Sequence, residues 1–201
     1  GANRLVFLHG GSAHAHWWSH LIPSLLAPGA EAIALNFGGM GDSQHREAYA
    51  MELYAAEILA CAEDAWGEEC RPLLVSHSFG GFVSTSTAAL HPSRIAGVIL
   101  CDSGIHPAGQ EVDYAAPGIP TVRPRRTYNS LEEISSRFKL VPDNPRENLY
   151  IKDRLLQHAV IESEPGKYQW RYDENRRSLG KLFTWRDLGA FGSFAGAIMI
   201  G

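Results

Sequence analysis

The sequence predicts an α/β fold, a mostly parallel sheet with helices on both faces. Three observations carry this. Short apolar runs recur at 5–8, 33–37, 73–75 and 95–102. Segments with helical periodicity separate them, which gives the order strand, helix, strand, helix, strand, helix, strand. Loops rich in glycine, serine or aspartate follow the runs. Right-handed crossovers bring the carboxyl ends of such strands to one edge. Ligands of open α/β sheets bind at that edge.

The first run, Leu5-Val6-Phe7-Leu8, opens into His9-Gly10-Gly11-Ser12. A glycine-rich loop at a strand end exposes backbone N–H groups. Taken alone it is an ordinary turn; beside an activated serine it is a natural oxyanion donor, and the Gly11 N–H is the one expected. His14, His16 and His20 follow, interleaved with Trp17 and Trp18. Residues two apart on a helix face different ways, and no Asp, Glu or Cys completes a metal set, so no metal site is expected. The segment reads instead as a helix through Leu21, Ile22, Leu25 and Leu26, ended by Pro28-Gly29.

Ile33 to Phe37 is the second strand, with Gly38-Gly39-Met40-Gly41-Asp42-Ser43 as its loop. From Glu47 to Trp66 the apolar positions Met51, Tyr54, Ala55, Ile58, Ala62 and Ala65 repeat helically. Glu47, Glu52, Glu57 and Glu63 read as a solvated face.

Leu73-Leu74-Val75 is the third strand, and Phe79 to His91 reads as a helix that Pro92 stops. Ser76-His77-Ser78-Phe79-Gly80-Gly81 lies between them. A serine on a sharp strand-to-helix turn is a nucleophile elbow. The turn lifts the Ser78 hydroxyl clear of the backbone, and the free N–H groups of the helix face the reacting atom. Such a turn needs small neighbours. Gly80 meets this need on the helix side, and Ser76 stands where the usual pattern has its first glycine. The Phe79 N–H is the expected second oxyanion donor. Ile95 to Asp102 is the fourth strand.

With these motifs assembled, the chain resembles the α/β-hydrolase fold superfamily in its serine esterase, lipase and C–C hydrolase branch. The matching pieces are His9-Gly10-Gly11 with Trp17-Trp18, Asn36 through Ser43, Ser76 through Gly81, and His91-Pro92-Ser93-Arg94 leading into Val98 through Ser103. The family usually has Asp at the position of Asn36 and Gly at that of Ser76. The resemblance implies a core at 1–104, a helical cap insert at 105–190 and a return strand of the core at 191–201. Within the insert, Ser130-Leu-Glu-Glu133 has capping-box spacing. Ile151, Leu155, Leu156, Ala159 and Val160 mark a second amphipathic helix, and Tyr168, Trp170 and Tyr172 alternate as an extended segment. His158 reads as a packed residue, and Arg123, Arg125 and Arg126 as a solvated loop.

The resemblance also implies a triad that runs serine, acid, histidine along the chain. Its usual acid and histidine positions lie after Gly201, and strands usually precede Leu5. The expectation is therefore a partial fold, a fragment truncated at both ends and nearly inactive alone. Asp102 is an alternative acid position used by some members, or else an ordinary strand-end cap. His91 and His106 are candidate bases only by default.

The expected function is hydrolysis of an ester-like bond in a small, partly apolar substrate through an acyl-enzyme on Ser78. The resemblance argues against dehalogenase and epoxide hydrolase chemistry, which use Asp at this position, and leaves C–C bond hydrolysis open. A ligand-binding pseudoenzyme of the same fold is the competing reading. No cofactor or metal is implied. The formal net charge of -4 supplies no basic field for nucleic acid. No apolar run spans a bilayer and no secretory signal is visible, so a cytoplasmic location is expected. Cys61, Cys70 and Cys101 show no disulfide or metal spacing, which fits a reducing setting.

Overall fold

The computed structural model describes residues 3–103, 125–139 and 148–174, and the backbone of 197–200. Among the described residues, five parallel strands form the central sheet: β1 (Arg4–Leu8), β2 (Glu31–Leu35), β3 (Leu73–His77), β4 (Gly97–Cys101) and β7 (Ala197–Ile200). Their order is β2-β1-β3-β4-β7. Val6 pairs with both Ile33 and Leu74, and Val75 pairs with Ile99. The strand expected near the end of the chain is present, paired parallel to β4.

Side chains alternate across a strand, so each strand feeds two cores. Val6, Leu8, Leu74, Val98 and Leu100 face one side. There they pack on α3 (Met51–Trp66) and α4 (Phe79–Leu90). Phe7 and Val75 face the other side, against Trp18 and Ile22, with Phe7 and Trp18 ring centroids 5.2 Å apart. Helices therefore cover both faces, as the alternating pattern requires.

On α3 the buried positions are Met51, Tyr54, Ala55, Ile58, Leu59 and Ala62, at helical spacing. Glu57 does not lie on the solvated face expected for it. Its carboxylate accepts the Gly38 N–H at 2.9 Å and pairs with Arg46 at 2.6 Å. Burial pushes its pKa up, against the pull of those two partners. A buried backbone N–H has to be satisfied, and here a helix side chain satisfies it.

The helix expected through Leu26 is two short ones, α1 (His16–Ser19) and α2 (Ile22–Leu25). Pro23 explains the break. It has no N–H for the preceding turn, and its ring clashes with that turn's carbonyl, so it fits only near the start of a new helix.

Between β4 and β7 lie α5 (Leu131–Ser135), α6 (Leu149–Ala159) and an antiparallel hairpin of β5 (Val160–Glu164) and β6 (Lys167–Trp170). The Ser130 cap forms as spaced: its Oγ accepts the Glu133 N–H at 3.1 Å. The Glu133 carboxylate in turn accepts the Asn129 N–H at 2.9 Å. The expected borders at 104/105 and 190/191 lie outside the described residues. So do His106, Arg123 and the prolines at 107–124. Among the described residues, no helix is long and apolar enough to cross a membrane.

α4 meets β1 in close backbone contact at Gly80. A Cβ on Gly80 would stand 2.6 Å from the Leu8 carbonyl oxygen and 2.9 Å from that of His9. Both are backbone atoms and cannot rotate away. Helix propensity alone favours alanine over glycine by up to ~1 kcal/mol, whereas forcing atoms into a filled site costs about 1–3 kcal/mol. Gly80→Ala is thus expected to lower the urea midpoint. An unchanged or raised midpoint would show that α4 does not seat this closely on β1.

Candidate active site

Ser78 sits between β3 and α4 with φ 50° and ψ -116°, a conformation a non-glycine residue rarely adopts. Such a conformation costs about 1–3 kcal/mol and persists only where the surroundings over-determine it. They do so here. The Ser78 N–H donates to the Cys101 carbonyl at 3.2 Å. Its own carbonyl accepts the Gly81 N–H at 2.9 Å and the Ser103 hydroxyl at 2.8 Å. Ser76, in the place of the usual glycine, is buried and donates to the Ile99 carbonyl at 2.9 Å. That bond satisfies the extra hydroxyl and ties the elbow strand to β4.

The loop after β1 lies against this turn. The Ala13 N–H bonds to the Gly10 carbonyl at 3.2 Å, which makes Gly11 and Ser12 the tip of a tight turn. Ser12 has φ 64°. A Cβ on Gly10 would fall 2.9 Å from His77 Nδ1, and one on Gly11 would fall 3.6 Å from Phe79 Cβ. Glycine at position 10 therefore lets the loop reach the elbow. The Phe79 N–H opens α4 and has no carbonyl one turn back to bond. Among the described residues, neither it nor the Gly11 N–H is taken up by a hydrogen bond. The Phe79 ring turns inward, edge-on to Phe37 and Tyr54 with centroids 5.6 and 5.4 Å away.

Two residues hold this loop that sequence reasoning did not assign to the site. His9 is 1% exposed. Its Nε2 accepts the Phe37 N–H at 3.3 Å, so its Nδ1 carries the proton and donates to the Gly10 carbonyl at 2.8 Å. Asn36 Oδ1 accepts the Ala15 N–H at 2.7 Å. An aspartate oxygen makes the same bond, which explains how Asn stands here at no cost to the loop.

Ser78, Gly10 and Gly11 open on a cavity of about 560 Å³. Its near wall includes Trp17 and His77. Its far wall comes from the insert: Tyr128, Phe138, Trp170 and Tyr172, with Arg137 and Lys139. Asp102 lies at the end of β4 with φ 45°. Its side chain is 88% exposed, and its contact is His77 Nε2 at 3.9 Å. The Gly11 loop, Ser78 and Asp102 are thus gathered at the carboxyl edge, as the topology required. His91 is not: it caps the far end of α4, on the order of 18 Å along the helix from Ser78. Among the described residues, no histidine is hydrogen-bonded to the Ser78 hydroxyl.

Four contacts fix the insert over this edge. The Tyr49 hydroxyl donates to Asp173 at 2.6 Å. Burial, together with that carboxylate, pushes the Tyr49 pKa up to about 12. Arg171 pairs with Asp42. His14, 2% exposed, bonds through Nε2 to the Leu155 carbonyl at 3.0 Å. The His16 and His158 rings stack at 3.5 Å. His158 is therefore packed, as its place on α6 suggested. Among the described residues, no group of three or more His, Cys, Asp or Glu side chains is arranged to hold a metal ion.

A family model described as alpha/beta hydrolase fold matches residues 3–136. The chain is 26% identical to the esterase Rv0045c of Mycobacterium tuberculosis over 193 residues, which is 94% of this chain and 63% of that one. It is 30% identical to epoxide hydrolase A of the same organism over 185 residues, 90% of this chain and 49% of that one. The chain thus spans from about half to just under two thirds of the length of these two curated relatives. Among solved structures, the hypothetical protein PA1622 of Pseudomonas aeruginosa PAO1 superposes with a TM-score of 0.73 at 29% identity. That match covers 98% of this chain and 71% of the other.

The His14 contact makes stability depend on pH. Burial, mainly, lowers the folded-state pKa of His14 from 6.5 to about 4, and the neighbouring His16 and His158 act in the same direction. The unfolded chain takes up a proton near 6.5, and the folded chain resists it. The stability is fully present above about pH 7.5, falls as pH drops through 6.5 toward 4, and levels off below. The loss is on the order of 3 kcal/mol. Urea unfolding at pH 7.5 and pH 5 reads about 2 kcal/mol of it, since pH 5 lies above the folded-state pKa. His14→Gln, whose amide can still donate to Leu155, is expected to flatten most of the difference. An unchanged pH slope in that variant would place the titrating group elsewhere.

Proposed function

The chain belongs to the alpha/beta hydrolase fold family, and from that premise we propose that it is a serine hydrolase acting on an ester-like bond of a small, partly apolar substrate. The observation that carries the proposal is the strained Ser78 turn, whose serine opens on a cavity beside the Gly11 loop.

The roles follow from the geometry. Ser78 Oγ attacks the carbonyl carbon and gives up its proton to a base. The carbonyl oxygen becomes an oxyanion and is met by the Gly11 and Phe79 N–H groups, where each donor is worth roughly 10²–10³ in rate. The carbon–oxygen bond to the leaving alcohol then breaks, and the alcohol departs with the proton. Water hydrolyses the acyl-enzyme by the reverse sequence. Asp102 is the acid candidate within the described residues. It ends the strand next to the elbow strand, and its open exposure leaves room for a histidine to pack over it. The insert acts as a cap: its aromatic wall closes the cavity opposite Ser78 and sheds water from the reacting carbonyl.

One fact favours an ester over an epoxide, although both chemistries occur among the relatives' names. Opening an epoxide through a covalent intermediate calls for a carboxylate at the elbow, and this chain has Ser78. Small-ligand binding without turnover is the second reading. It is favoured by one observation, that no described histidine hydrogen-bonds to Ser78.

A fluorophosphonate probe separates the two. In protein expressed from the complete reading frame, one phosphonyl adduct on Ser78 is expected by intact mass and peptide mapping. Ser78→Ala should abolish both the adduct and ester hydrolysis, with a loss of more than about 10³-fold. Absence of the adduct at Ser78 would refute the hydrolase assignment and leave ligand binding as the role of the cavity.

A further inference from the structure

The cavity has a charge pattern that the chain as a whole lacks. The protein carries 22 acidic residues against 18 lysines and arginines. The described cavity lining reverses this balance. It includes Arg137 and Lys139 and no carboxylate. Neither cation has an ion pair among the described residues. Each is exposed at its outer side, so neither is held there by burial.

The segment that carries them is built, not loose. The backbone groups of Tyr128 and Tyr168 bond to each other in both directions at 2.9 Å. The Ser130–Glu133 cap fixes the start of α5. After α5, the Arg137 N–H returns to the Ile134 carbonyl at 3.0 Å and the Phe138 N–H to the Ser135 carbonyl at 3.0 Å. Ile134 is fully buried beneath this turn, together with Tyr128 and Val160. The turn directs residues 137–139 along the cavity wall beside the aromatic rings.

Those rings make an apolar surface. Trp170 and Tyr172 stack 6.3 Å apart with 11° between their planes. Phe138 and Tyr128 each lie 6.3 Å from Trp170, tilted and edge-on. The neighbouring cations are already engaged: Arg171 pairs with Asp42, and Lys167 donates to Asn129 Oδ1 at 2.6 Å. Arg125 donates to the Trp170 carbonyl at 3.0 Å, and the Arg126 guanidinium lies 5.1 Å over the Tyr128 ring. Arg137 and Lys139 are the pair left to meet a ligand. The volume falls within the roughly 300–1,000 Å³ of small-molecule sites, which suits one small anionic molecule.

We propose that the cavity selects substrates carrying a carboxylate on an apolar, flat or chain-like body, with Arg137 and Lys139 as the carboxylate-binding pair. The inference rests on the reading of this cavity as the substrate site and names the substrate class: the monoester of a dicarboxylic acid, or a comparable carboxylate-bearing ester. The guanidinium offers a planar two-donor fork and the ammonium a movable point charge, a combination suited to a carboxylate entering from solvent. The carboxylate is not a reacting group. It stays ionised throughout and fixes the direction from which the ester carbonyl approaches Ser78.

The test uses binding, so that it does not depend on turnover. Trp17 and Trp170 line the cavity, and their fluorescence reports occupancy. The probes are 4-phenylbutyrate and its neutral amide, 4-phenylbutyramide. The carboxylate is expected to bind about five- to tenfold more tightly at low salt, and the gap should shrink in 0.5 M salt. The R137Q/K139Q variant should bring the two ligands to the same Kd. R71Q, which removes an exposed cation at the opposite end of β3, should leave the preference intact. Equal affinities in the unaltered protein would overturn the proposal. So would a preference that survives in R137Q/K139Q, or one lost equally in R71Q. Fluorophosphonate labelling of Ser78 is scored separately. A carboxylate preference without labelling would uphold the anion site and fail the hydrolase reading, while labelling without the preference would do the reverse.

Discussion

The seating of α4 on the end of β1 is the constraint on which the rest depends. With no side chain at Gly80, the first turn of the helix reaches the Leu8 and His9 carbonyls. Only at that distance does the strand-to-helix connection shorten to one residue. Ser78 must then take a left-handed φ, and the surrounding bonds hold it there. The bonds come from three directions: the end of β4 through Cys101, the segment after it through Ser103, and the helix through Gly81. A serine in an ordinary loop would keep its hydroxyl among its own backbone groups. The forced turn exposes it, and the unbonded Phe79 N–H arrives with it.

The second feature is how the polar loops of the edge are satisfied. A parallel sheet buried on both sides leaves its strand-end loops to find their own partners. His9 bridges the loops after β1 and β2 in a single tautomer. Asn36 and Glu57 complete the same bracket from the second strand and from α3. Tyr49 extends it to Asp173, beyond the hairpin of the insert, and the Asp173 N–H bonds back to the Gly39 carbonyl at 2.7 Å. One network therefore sets both the donor loop beside Ser78 and the position of the wall across from it. A change in this bracket would reach the cavity from either side.

Most of the core was legible because its signals are local. Apolar runs, glycine loops and the Ser78 turn each occupy fewer than ten residues, and right-handed crossovers supply the rest of the topology. The departures arose where local signals compete. Pro23 outweighed a continuous helical pattern. Glu57 has the spacing of a solvated residue but answers a backbone N–H that is 19 residues away in sequence. Val160 continued the apolar rhythm of α6, which concealed the start of β5. The hairpin did have a signal, Pro165-Gly166, with Gly166 at φ 70° as a tight turn requires. The contact of His14 with Leu155 joins positions 141 apart, and no local pattern encodes it. The aromatic and cationic cavity wall was likewise unreadable as a wall, because its members come from three separate elements of the insert.

This separation between core and insert has a chemical consequence. The groups proposed to act on the carbonyl, Ser78 with the Gly11 and Phe79 N–H groups, belong to strand ends and a helix start, and two of them are backbone atoms. They recognise a carbonyl and little else. The groups that face them are side chains on short elements packed as a separate aromatic cluster around Tyr128, Ile134 and Val160. That cluster and the main core meet at Tyr172, which packs on the main core and stacks on Trp170. The family model matches residues 3–136, which take in β1 through β4 and also Tyr128 and Ile134 of that cluster. Relatives named as an esterase and as an epoxide hydrolase both align over at least 90% of this chain. In this chain the elbow residue is a serine, and the opposing wall is aromatic with two unpaired cations among its described residues.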